Sequence, residues 1–214
     1  MNTKMLIATA MIAGTALPAY AEGVYVVGSV GQSNFNSGIL SQGNYDNFLR
    51  SGGASVGSSS LDNNRTAYKL LLGTAINPYF AVEGGYVDLG KITYGGTLTN
   101  GNAAASVKDQ GVVVDAQGIY PATDKFSLFG KAGLYHNRAT IDSSTTSATL
   151  GPNYGISSRN NSNSLNYGAG LSYAINDRFG VRGEYEQFRN ISANTFVGGK
   201  GNVNVTSISL VGKF

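Results

Sequence analysis

Few side chains in this 214-residue chain could do chemistry. There is no cysteine, and His136 is the only histidine. A lone imidazole without thiolates or a second histidine does not make a metal site. As a general base it would need a nucleophile within hydrogen-bond reach. What remains is a sparse set of charges in two-residue alternation. In residues 66–90, Lys69 and Glu83 share a row with Gly73, Ala75, Ala81 and Gly85, opposite Leu70, Leu72, Ile76, Phe80, Val82 and Tyr86. Asp115 and Gln117 alternate with Val114 and Ala116, and Lys131 with Gly130 and Ala132. Arg182, Glu184 and Glu186 alternate with Val181, Gly183 and Tyr185. A strand apolar on one face and charged on the other has two homes. It covers a soluble core, or it stands in lipid with its polar face turned into a barrel lumen.

The N-terminus indicates the compartment. Lys4, an apolar run over residues 5–17 and Ala19-Tyr20-Ala21 read as a secretory signal peptide over residues 1–21. The run is too short for an anchor of ~20 apolar residues. Residues 22–214 are then expected to form one domain. The absence of cysteine excludes a disulfide framework and a thiolate metal site. A formal charge of +3, with no clustered basic run, argues against nucleic acid as a partner. Abundant glycine and tyrosine with few charges favour an all-β chain.

Eight segments carry strand alternation: 24–33, the two arms of 66–90, 111–120, 125–138, 165–175, 178–188 and 203–214. Each approaches the ~9–11 residues that cross a bilayer as tilted β. Both rows of 24–33 are small or apolar, so its inward row stays unassigned. Short turns at Asn77-Pro78-Tyr79, 121–124 and Asn176-Asp177 alternate with long polar segments at 35–64, 91–109, 140–163 and 189–202. A three-residue turn at 77–79 is required for Lys69 and Glu83 to share a face. Segment 35–64 shows no helical period and reads as the first external loop. An even strand number, short inner turns and export together predict an all-β fold: an eight-stranded antiparallel transmembrane β-barrel.

Asn77-Pro78-Tyr79 followed by Glu83-Gly84-Gly85-Tyr86 and Leu89-Gly90 resembles the first inner turn and following strand of OmpA-like transmembrane domains. Tyr120-Pro121 with Thr123-Asp124 is similar to the next turn, and Tyr173-Ala174-Ile175 with Arg182, Glu184 and Tyr185 to later strands. Alternate aliphatic residues ending on Phe214 resemble the C-terminal signal read by the outer-membrane assembly machinery. The resemblance implies a Gram-negative outer-membrane location and a lumen crossed by a charged network. Glu83, Lys131, Arg182 and Glu184 match its inward charges. Gln117 stands where the family has a lysine and Ser172 where it has a glutamate, so Lys69 and Asp115 are the candidates to substitute. The family's cell-wall-binding domain is expected to be missing, because the chain stops at the last strand.

Two readings of the network stand. As a gate, Glu83 pairs with Arg182 or Lys131 and re-pairing admits small ions. As a plug, opposite charges neutralise one another in a lumen just wide enough for its side chains. Tyr25, Phe80, Tyr120, Phe126, Tyr173 and Phe179 are expected in the inner aromatic girdle. Glycines in the sixth and seventh strands relieve crowding in the lumen. Some eight-stranded outer-membrane barrels act on lipid A, the deacylase type through a His-x-Ser pair. His136-Asn137-Arg138 lacks that pattern, so no enzyme activity is expected and His136 is placed near the outer rim. A lipocalin-like barrel would need an apolar interior. An adhesin or receptor would work through the loops. The expectation is a monomer without cofactor and with a structural or narrow-pore role. Its partners are outer-membrane lipid and lipopolysaccharide, the assembly machinery, and host or surface ligands at the loops.

Overall fold

The computed structural model describes residues 23–36, 38–150, 155, 157–192 and 199–214. The expected signal peptide lies outside the described residues. The elements are β1 (Val24–Phe35), α1 (Gln42–Ser51), β2 (Val56–Asp62), β3 (Asn64–Asn77), β4 (Phe80–Leu98), β5 (Gly101–Pro121), β6 (Phe126–Thr145), β7 (Ser157–Ala174), β8 (Phe179–Ser192) and β9 (Lys200–Lys213). Eight strands close in the cyclic order β1-β3-β4-β5-β6-β7-β8-β9, all antiparallel, with β9 paired back to β1. The short β2 lies outside this ring and pairs with the outer part of β4.

Side-chain alternation sorts the wall into two surfaces. Leu70, Leu72, Val82, Val112, Val114, Leu134, Leu171 and Leu210 face outward and are exposed. On β5 this apolar row runs from Val112 to Tyr120. At ~3.3 Å per residue and a tilt near 40°, that is a band about 20 Å tall, close to that of a membrane barrel. Phe80, Tyr120, Tyr173 and Phe179 ring its inner edge. Tyr25 does not join this girdle, because β1 turns Tyr25, Val27, Ser29 and Ser33 inward.

The inner turns are closed by polar side chains. Asn77 Oδ1 accepts from the Tyr79 N–H at 2.8 Å, Thr123 Oγ1 from Phe126 at 3.0 Å, and Asn176 Oδ1 from Phe179 at 2.8 Å. The first turn has two residues, Pro78-Tyr79, instead of three. A bulge between Ala75 and Asn77 supplies the odd residue, so Lys69 and Glu83 still share the inner face.

The outer half departs from the expected loops. β4 to β7 run 18 to 21 residues, about twice what a tilted strand needs to cross lipid. Segment 91–109 is a hairpin with Thr99-Asn100 at its tip. Segments 140–163 and 189–202 are shortened in the same way by longer strands. Beyond the lipid band the outward row no longer needs to be apolar, so the most visible half of the alternation vanishes. The inner row persists as Ile92, Tyr94, Ala105, Val107 and Ile141. A bulge between Asp88 and Gly90, with Gly90 at φ +92°, also swaps which parity of β4 faces in.

Segment 35–64 is likewise structured. Ser41 caps α1, accepting from the Asn44 N–H, and Gly53 at φ +92° turns the chain out. A single i,i+4 pair, Tyr45 and Leu49, is buried, too little for a helical period to show. These two side chains cover the outer mouth above Ile92, Tyr94, Phe188, Ile191 and Val203. The Tyr45 and Tyr94 rings meet edge to face at 4.6 Å.

If the outward row faces lipid, Leu72→Arg at mid-band should destabilise the barrel by ~2–4 kcal/mol and Tyr68→Arg at the rim by ~0–1 kcal/mol. Equilibrium denaturant unfolding from lipid vesicles measures both, and equal costs would contradict the placement.

Candidate functional site: the charged lumen

Within the lipid band the interior carries a cluster of charges set among inward Val27, Leu71, Val113 and Phe129. Lys69 of β3, Glu83 of β4, Asp115 of β5, Lys131 of β6 and Arg182 and Glu184 of β8 all point inward and are buried. They form two groups. Arg182 Nη1 lies 2.6 Å from Glu83 Oε1, and the Tyr25 hydroxyl donates to the same oxygen at 2.9 Å. The guanidinium stacks 4.7 Å from the Phe129 ring centre. Glu83 is therefore paired with Arg182, and Lys131 belongs to the second group. There, Lys131 Nζ lies 2.6 Å from Glu186 Oε1, 3.0 Å from Glu184 Oε2 and 3.8 Å from Asp115 Oδ2. Lys131 is thus shared among three carboxylates. Lys69 Nζ is bound by both Glu184 and Glu186. Ser207 donates to Glu184 Oε1 at 3.3 Å and Asn166 to Asp115 Oδ1 at 2.6 Å.

Glu186, Tyr25 and Asn166 join the network beyond the six charges. Glu186 was legible, because it shares the parity of Arg182 and Glu184 on one strand. Asn166 likewise sits on the polar row of its strand. Tyr25 carried no such signal, since both rows of β1 are apolar or small. Glycines make room for these groups. A Cβ at Gly73 would strike the Tyr25 ring, and one at Gly168 would strike the Glu186 side chain.

The two family departures lie on the inner side of the network. Gln117 and Ser172 line a cavity of about 430 Å³ that opens at the inner mouth, with Arg182 and Phe129 also in its wall. Phe214 lies at the same end, pointing outward, its N–H bonded to the Val24 carbonyl at 3.0 Å. On the outer side, Asp109 stands beyond the lipid band beneath the apolar core. It accepts from the Tyr135 hydroxyl at 2.8 Å and from Asn137 Nδ2 at 2.6 Å. Burial pushes its carboxyl up to about 7, against those two hydrogen bonds. His136 is on the outer wall, away from the lumen, 2.6 Å from Asn163 Oδ1 through Nδ1.

An eight-stranded closed wall, an apolar outer band, a charged interior and tight inner turns define a transmembrane β-barrel of the outer membrane. Residues 19–214 match the OmpA-like transmembrane domain, and the chain belongs to that family. Outer membrane protein A of Salmonella typhi is 28% identical over 144 residues, 66% of this chain and 38% of that protein. Outer membrane protein A of Escherichia coli O157:H7 is 30% identical over 144 residues, 66% of this chain and 37% of that protein. The chain thus spans less than two fifths of these relatives. Among solved structures, Neisserial surface protein A superposes with a TM-score of 0.56 at 15% identity, covering 90% of this chain and 98% of that one. OprG of Pseudomonas aeruginosa gives 0.50 at 15% identity, covering 90% and 96%. Both share the barrel fold.

Removing one partner of a buried pair strands the other charge. Arg182→Met should cost ~3–5 kcal/mol. Adding Glu83→Gln to it should recover much of that loss. A double-mutant cycle by denaturant unfolding reads the coupling, and strictly additive losses would mean that the pair does not interact.

Proposed function

We propose that this protein is a closed outer-membrane barrel with a structural role. In this reading the charged network holds the lumen shut and passes small ions only when its pairs exchange. The observation that carries the reading is that, outward of the cavity at the inner mouth, the interior is filled in two layers. Glu83–Arg182 and the Lys69–Lys131–Glu184–Glu186 group occupy the lipid-level lumen. Tyr45, Leu49 and Tyr94 occupy the outer mouth. Eight strands leave an interior only just wide enough for side chains, so a steady aqueous path needs both layers to move. A structural role without catalysis also suits His136, whose outward-facing ring is engaged by Asn163. Phe214, exposed at the inner rim, serves in this reading as the terminal signal for assembly of a monomeric barrel.

A surface-binding role is the second reading, and the outer half favours it. There β4 to β7, β2 and α1 stand clear of the lipid band as a folded platform instead of loose loops. Such a platform presents ligands with preorganised groups.

Planar-bilayer recording of the refolded protein tests the first reading. The expected trace is a closed baseline with brief, small steps. A steady open level after every insertion would overturn it. A silent membrane at all voltages would remove ion passage and leave the structural role.

A further inference from the structure

The charges in the lipid-level lumen do not balance. Among the described residues, Lys69, Lys131 and Arg182 meet Glu83, Asp115, Glu184 and Glu186, all of them buried, so three cations face four carboxylates. Glu83 and Arg182 are neutral as a pair. Lys69 is held by Glu184 and Glu186, and Lys131 lies nearest those same two groups. The surplus negative charge therefore falls on Asp115, whose Oδ2 is 3.8 Å from Lys131 Nζ. A carboxylate buried in so narrow a lumen is costly unless its charge is met.

The strand register sets that carboxylate against another. Asp115 stands directly opposite Glu83, and Gln117, two residues along β5, stands opposite Ala81. All three side chains point inward and are 3% exposed or less. Same-face neighbours on adjacent strands have Cβ atoms about 5 Å apart when opposite and about 7–8 Å apart on the diagonal, and like charges directly opposite repel. Each of the three side chains carries one oxygen that accepts no hydrogen bond: Glu83 Oε2, Asp115 Oδ2 and Gln117 Oε1. The second carboxylate oxygens are held elsewhere, Glu83 Oε1 by Arg182 and Tyr25 and Asp115 Oδ1 by Asn166. Buried oxygens of this kind are rare and call for a donor or an ion. Here they coincide with the place where positive charge is short.

We propose that this corner of the lumen binds one monovalent inorganic cation between Glu83 Oε2, Asp115 Oδ2 and Gln117 Oε1, with water completing its shell. One positive charge cancels the surplus. A divalent ion would overshoot it, and calcium or magnesium wants six or more oxygens. The ion arrives from the inner mouth, because Gln117 forms part of the wall of the cavity that opens there. Once bound, it joins β4 to β5 where two carboxylates would push them apart. The assignment is independent of whether the lumen conducts.

Urea unfolding of the vesicle-embedded barrel, in rubidium chloride against N-methylglucamine chloride at equal ionic strength, tests it. The organic cation is too bulky to enter the corner. With rubidium, the wild-type unfolding constant should fall about 10-fold for each tenfold rise above the dissociation constant. With N-methylglucamine it should not. D115N removes the surplus charge and should unfold at the same urea concentration in both salts. K91Q, exposed on β4, should respond as the wild type does. Crystals of the wild type grown in rubidium chloride should show one anomalous peak among the three oxygens. Equal wild-type stability in both salts, with a dependence on pH alone, would give the place to a proton on Asp115 and overturn the proposal. So would a rubidium response retained by folded D115N, or crystals with no rubidium at these oxygens. If D115N does not fold, the wild-type salt comparison and the crystals still decide.

Discussion

Inside the lipid band no water is available to a backbone amide or carbonyl, so each must find its partner in the chain itself. That constraint closes the sheet, and closure sets everything else. Once β9 returns to β1, every residue has one of two fates, outward to lipid or inward to a narrow lumen. Eight strands leave little room inside, so bulky inward groups have to be matched by small ones. Gly73 opposite the Tyr25 ring and Gly168 against Glu186 show that matching residue by residue. The charges follow from the same geometry. A lone carboxylate at Glu83 would be costly in such a place, and Arg182 with the Tyr25 hydroxyl meets that cost locally.

The interior has two chemistries stacked along one axis. At the level of the lipid it is ionic, and above the membrane it is an apolar core of the kind a soluble barrel would have. Asp109, Tyr135 and Asn137 mark the change between them. The bulge at Asp88–Gly90 re-registers β4 there, and a second irregularity between Phe188 and Ile191 does the same for β8. Each lets one strand carry Glu83 or Glu186 inward below and Ile92 or Ile191 inward above, although these residues differ in parity.

Much of this was legible from residue order. Alternation placed Lys69, Glu83, Asp115, Lys131, Arg182 and Glu184 on the inner rows, and the apolar rows on the outside. Three things were hidden, each for a physical reason. Above the membrane the outward row is free to be serine, threonine and asparagine, so the strand signature fades although the strands continue. α1 rests on a cap and one buried i,i+4 pair, which leaves almost no periodic trace. Tyr25 sits on a strand whose two rows are alike, so only its partner Glu83 reveals which way it points.

The apolar core of the outer half lies on the far side of the membrane from the inner turns. Tyr45, Leu49, Tyr94 and Phe188 can come together only after their strands have passed through the bilayer. Its assembly is then a terminal step, completed in water outside the cell. Once formed, it works as a toggle bolt: the strands cannot slip back through the membrane unless the core is first taken apart. Resistance to extraction would therefore be set by a soluble-type fold that never touches lipid.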